Sequence, residues 1–232
     1  MKVKKKMPYY ILGIVAIFVL FLLGPLYHKD GDGSVSVITG ILRLPREALR
    51  GFAARDVFLA GRTSWMYTLL PVAAAIPSAS YIYEELKSRF YMGVQMRKGK
   101  YRYVYSGFLY SAVSGGAAVA VGLAVYAAAV CMIFPVNPAG GDAGVEMNTA
   151  QFVICMLAKI LYLAAYGMAM SAFASFMVYL YQNLYVDLSI LFIAAYLLRE
   201  TAMRENFAFP LFLTGILAVL YGVMWKFRSE RI

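Results

Sequence analysis

The chain has 232 residues, of which 62% are hydrophobic and 15% charged, and its mean hydropathy is +0.68. Soluble domains are about 45–50% apolar and about 25% charged, so this composition excludes a water-soluble globular domain, and it excludes a disordered chain as well. The net charge of +10 sits mainly beside apolar runs, which makes it a topology and headgroup signal and not a mark of nucleic acid.

Six apolar stretches follow one another, each near the roughly 20 residues that cross a bilayer as a helix. They are residues 8–26, 65–83, 104–134, 152–179, 185–198 and 209–225. The expected fold is therefore all-α: six transmembrane helices in one domain, residues 1–232. Before the first stretch, Lys2 to Lys6 resemble the basic start of a signal peptide. The apolar run behind them is long for that role, and no small-x-small cleavage site follows Tyr27, so a retained first span is expected.

Between the first two spans lies an outer loop, residues 27–64. It opens on the turn cluster Lys29-Asp30-Gly31-Asp32-Gly33 and continues through a strand-like Ser34 to Ile38. After Pro45 a short helix is expected, with Leu49, Phe52 and Ala53 on one side. It either lies on the outer leaflet or gates a path. Asp30 and Asp32 lack the rest of a calcium-loop pattern, so no metal is expected.

The second span contains Pro71 and Pro77, each of which removes a backbone donor and favours a bend, and a bent helix can line a substrate path. A cytoplasmic loop, residues 84–102, follows. There Tyr83, Leu86, Phe90 and Val94 recur at helical spacing, and Glu85 can pair with Arg89. This predicts a short amphipathic helix with Glu84 and Glu85 on its first turn, which either binds headgroups or docks a partner.

In the third span Ala112, Gly116, Ala120, Ala124 and Ala128 form a stripe of small residues at i+4 spacing, beside a second made of Gly107, Ser111 and Gly115. The fourth span repeats the theme with Gly167, Ser171 and Ser175. Small stripes let helix backbones approach closely in lipid, within one chain or across a subunit interface. Lys159 is the one clear charge inside a span. It either snorkels to the outer interface or marks a substrate path. Tyr162 and Tyr166 lie deep enough to need hydrogen-bond partners, as core residues or as lining of that path. Asp187, near the start of the fifth span, reads as a helix-start residue.

Thirteen lysines and arginines fall on the inner segments and eight on the outer ones when the N-terminus is placed inside. Both termini are then cytoplasmic. The chain has no GxxxxGK[ST], no HExxH and a single histidine, His28, and Cys131 and Cys155 form no CxxC pair. No catalytic residue, metal site or enzymatic activity is expected.

One segment carries a resemblance. Leu70 to Pro77, Tyr83-Glu84-Glu85, Arg97, Tyr103, Ser106-Gly107-Phe108 and Ser114-Gly115-Gly116 together resemble the membrane permease subunit of a bacterial type-2 ABC exporter, in its small six-span family. The resemblance implies a multi-pass protein of the bacterial plasma membrane that moves a small amphipathic or apolar substrate outward, such as a peptide, drug or lipid. It also implies two partners, a cytoplasmic ATPase subunit and a second permease chain, identical or paired. ATP and Mg would bind the ATPase, with no cofactor in this chain. The coupling contact would fall on Glu84, Glu85, Leu86, Arg89 and Phe90. The chain departs from the pattern in having no long amphipathic helix before its first span. The alternatives are a substrate-capturing membrane module of a vitamin importer, which would hold a ligand when purified alone, and a membrane scaffold or sensor without ATP-dependent flux.

Overall fold

The computed structural model describes residues 3–26, 35–45, 52–59, 64–88, 100–135 and 148–229. Six long helices lie in the order of the six apolar stretches. They are α1 (Val3–Leu22), α4 (Ser64–Lys87), α5 (Lys100–Ile133), α6 (Thr149–Tyr181), α7 (Leu184–Met203) and α8 (Ala208–Ser229). Two short helices, α2 (Val37–Arg43) and α3 (Ala54–Leu59), come from the segment between α1 and α4. The only strands among the described residues are β1 (Pro25–Leu26) and β2 (Val35–Ser36), a two-residue antiparallel pair. The structure is otherwise helical.

Two stretches are long and apolar enough to cross a membrane by length and composition, Tyr105–Ile133 and Thr149–Tyr181. Shorter apolar helical stretches occupy Met7–Leu22 and Ala208–Val223. At 1.5 Å per residue the 34 residues of α5 run for about 50 Å.

The helices pack around α4 and α6. Helix α6 contacts α4, α5, α7 and α8, and α4 contacts α1, α5, α6 and α7. The closest approach is α5 on α6, where the small stripes meet. A methyl group added at Gly107 would lie 2.6 Å from the Tyr179 hydroxyl, one at Gly115 would collide with Ser171, and one at Gly116 with Met168. Ala112 is buried in the same contact and Ala120 is half-buried. Ala124 and Ala128 are exposed, so the i+4 stripe leaves the contact in its second half. A strict i+4 row drifts around a 3.6-residue helix, and this one rotates off α6.

Helix α6 ends on Gln182, whose left-handed backbone (φ 53°) closes the helix. Asn183 then caps α7, its side chain accepting from the Tyr185 amide at 3.1 Å. These two residues are the whole connection between α6 and α7.

The region before α4 departs from expectation. The strand-like run is cut to Val35–Ser36, because Ser36 caps α2 by accepting from the Thr39 amide. The expected helix after Pro45 falls largely on residues 46–51, outside the described residues; the helix described further on is α3, which begins at Ala54. Ala54, Val57 and Phe58 are buried, and α3 packs on α5 and α6. The Lys29 to Gly33 cluster and Leu49 lie outside the described residues.

Candidate functional site

Three polar groupings stand out in an otherwise apolar bundle. The first is at mid-bundle and joins α4, α5 and α6. Ser78, Ser111, Ser171 and Ser175 are all fully buried. Ser78 and Ser171 share a hydrogen bond of 2.7 Å, the Ser111 hydroxyl donates to the Ser171 carbonyl at 2.7 Å, and the Ser171 hydroxyl donates to the Ser111 carbonyl at 2.9 Å. Ser111 also bonds Ser175. From α8, the Tyr221 hydroxyl donates to the Ala172 carbonyl at 3.2 Å. Each hydroxyl has a partner, so the cluster ties helices together through polar contacts that lipid cannot replace. Ser78 was invisible to the stripe pattern, which was read on the third and fourth apolar stretches and not on the second.

The second grouping is at the end of the bundle where α1 begins and α8 finishes. Glu84, Glu85 and Leu86 lie in the last turn of α4. The expectation that the glutamates open a new amphipathic helix is therefore corrected: helix α4 runs on through them to Lys87. The physical reason is that nothing in Tyr81 to Lys87 breaks a helix, neither glycine nor proline. Carboxylates at a helix C-terminus oppose its dipole, and tyrosines compensate. Tyr9 of α1 donates to Glu84, and Tyr81 is hydrogen-bonded to Glu85. Tyr110 packs edge-on against Tyr81 at 5.6 Å and pairs with Tyr10 at 3.4 Å. Tyr103 lies beside Tyr179, and its buried hydroxyl has no hydrogen-bond partner of good geometry among the described residues. Arg89 and Phe90 lie outside the described residues.

Close to this end, Asp187 sits in the first turn of α7. It is fully buried, and neither carboxylate oxygen has a hydrogen-bond partner among the described residues. Its position is that of a helix-start residue, as expected, but its side chain caps nothing.

The third grouping is at the opposite end. Lys159 is buried with 5% exposure and does not snorkel outward. Its ammonium donates to the Phe58 carbonyl at 2.9 Å and lies 5.8 Å from the centre of the Phe58 ring. Lys159 also lines a small cavity with Phe21, Met66, Tyr67, Leu70 and Leu163. Asp142 and Glu146, acidic residues of the segment before α6 and candidate partners for this ammonium, lie outside the described residues.

The prolines and deep tyrosines form a linked arrangement. Pro71 and Pro77 are both buried, and α4 continues through them. Proline at position 71 cannot donate to the Tyr67 carbonyl one turn earlier. The Tyr166 hydroxyl donates to that carbonyl instead, at 3.4 Å. Tyr162 donates to the Ala202 carbonyl at the end of α7, at 2.6 Å. Pro77 packs on α1, where an added methyl at Gly13 would approach its ring to 2.9 Å. In this packing the hydroxyls of Tyr162 and Tyr166 are committed to backbone and line no open passage among the described residues.

No grouping of three or more histidine, cysteine, aspartate or glutamate side chains that could hold a metal forms among the described residues. The chain matches no family model, no curated protein and no solved structure.

Proposed function

We propose that the chain is the permease subunit of an ATP-driven exporter, with all six long helices crossing the plasma membrane and both termini in the cytoplasm. The observation that carries this reading is α4. It has contacts with four of the other five long helices, and it ends in Glu84 and Glu85 at the bundle end that also holds the start of α1. A partner that pushed on this end would act on a rigid element reaching through the whole bundle. The resemblance from Leu70 to Gly116 to type-2 exporter permeases supports the same assignment. The substrate class is a small amphipathic or apolar molecule, and a second permease chain completes the pathway.

The test is recovery of a complex. The tagged chain is expressed with a candidate untagged ATPase and purified in mild detergent. Stoichiometric recovery of the ATPase, with ATP hydrolysis that responds to an amphipathic substrate, is the expected result. Retention of a tight small ligand by the chain purified alone would favour the importer module instead. Absence of both would leave the scaffold reading.

A further inference from the structure

We infer that Asp187 is a proton-binding site, and that its proton keeps the seam between α4 and α7 closed at the end of the bundle that holds the termini. On α7 the buried residues Asp187, Leu191, Ala195 and Ala202 recur at the spacing of one helix face, and α7 packs on α4 and α6. Tyr185 and Leu197, on the other side of α7, are exposed. Asp187 therefore heads the inward face, a lone carboxyl in an apolar row. It has no exposed surface, and neither of its oxygens has a hydrogen-bond partner among the described residues.

An ionised carboxylate in that setting has neither a donor nor water, so the packed seam holds the neutral acid. The titratable groups at this end of α4 are Tyr81, Tyr83, Glu84, Glu85 and Lys87, and those of α6 are Tyr179 and Tyr181. None of them bonds to Asp187, and no charged side chain among the described residues acts on it. Asp187 is nevertheless in the first turn of α7, where the helix dipole favours an anion. The carboxylate becomes stable once water reaches it. The shortest way to admit water is to tilt the start of α7 off α4, because the exposed link of Gln182 and Asn183 is only four residues before Asp187. Loss of the proton and opening of the seam are then one event, favoured as pH rises.

Neither an ATPase nor a substrate takes part, so the outcome is independent of the permease reading. Cys131 and Cys155 are replaced by alanine, and one reporter cysteine is placed at Leu191, the next buried position on the same face of α7. A second chain carries its reporter at Val119, buried against Gly167 of α6. Maleimide labelling of the purified chain in mild detergent is timed between about pH 6 and about pH 9. Each chain is also made with Asp187→Asn, which keeps the shape of the side chain and has no proton to lose. Dividing the rate of each Asp187 chain by that of its Asp187→Asn counterpart removes the thiol's own response to pH. At Leu191→Cys this ratio is expected to rise about tenfold or more across the range, the order of response of an opening that releases one proton. At Val119→Cys it should stay flat. A flat ratio at Leu191→Cys would overturn the assignment. So would an equal rise at both reporters, because Asp187 would then hold the whole bundle and not the seam. A second measurement needs no substitution. Dicyclohexylcarbodiimide adds to neutral carboxyl groups in apolar surroundings: the acid proton passes to a nitrogen, the carboxyl oxygen bonds the central carbon, and acyl transfer leaves a stable N-acylurea. Peptide masses should place the adduct on Asp187 at about pH 6 and show about tenfold less of it at about pH 9. No adduct at Asp187 in the acidic sample would show that the group holds no proton there, and the assignment would fall.

Discussion

Tyr166 shows how one side chain repairs a defect made by another. Its hydroxyl serves the Tyr67 carbonyl that Pro71 leaves without a donor. Tyr166→Phe should therefore cost about 1 kcal/mol in detergent unfolding. The same change in a Pro71→Ala background should cost less, because the helix then satisfies the carbonyl itself. A double-mutant cycle measures this, and strict additivity would disprove the link. The need of Tyr162 and Tyr166 for partners was legible in the sequence. Which carbonyls they reach was not, since that depends on helix packing and not on spacing. Asp187 raises the opposite problem, a carboxyl group with no partner among the described residues. Burying a charge unpaired costs several kcal/mol. Asp187→Asn keeps the shape and removes the charge, so its thermal midpoint near neutral pH should match or exceed the parent's. A fall of several degrees would mean that the carboxylate is engaged by a group outside the described residues.

Among the elements, the contact of α5 with α6 was the most legible, because glycine and serine rows admit few other uses. The direction of the row was less so. Gly107, Gly115 and Gly116 face α6, while Ala124 and Ala128 turn away. Gly116→Leu should destabilise by about 1–3 kcal/mol from overpacking. Val113→Leu, on an exposed face of the same helix, should cost under about 0.5 kcal/mol. Val119 would be a poor comparison, because it is fully buried against Gly167. Equal melting of the Gly116 and Val113 variants would remove the close contact. The end of α4 was misread as the start of a new helix, since amphipathic spacing gives a period and not a boundary. In the permease reading Glu84 and Glu85 remain the candidates for coupling, in the last turn of a continuous helix. The double change Glu84→Ala, Glu85→Ala should leave the fold intact and reduce ATPase recovery or uncouple hydrolysis from transport. Unchanged recovery and unchanged substrate-stimulated hydrolysis at equal expression would withdraw the coupling role. Tyr9 offers an internal control, because Tyr9→Phe removes its bond to Glu84 and leaves both carboxylates in place.

At the scale of the whole molecule, the helical class and the order of the six long helices were readable from apolar run length. The burial of α3 was not, because arginine-rich flanks gave it the look of a surface segment. Inward burial of Lys159 was hidden for a related reason: its acceptor is a backbone carbonyl 101 residues away, which no residue pattern announces. The orientation is tested by cysteine labelling from outside the cell. Probes at Gly33 and Gly141 should react and one at Gly99 should not; external reaction at Gly99 would invert the topology. The two-residue connection of α6 to α7 adds a consequence for biogenesis. Gln182 closes one helix and Asn183 opens the next, so no slack separates them. In the permease reading the pair would enter the bilayer together as a closed hairpin, with α6 unable to settle before α7 emerges. Lengthening the link with a few glycines would let the two halves insert in sequence, and misoriented chains should then accumulate.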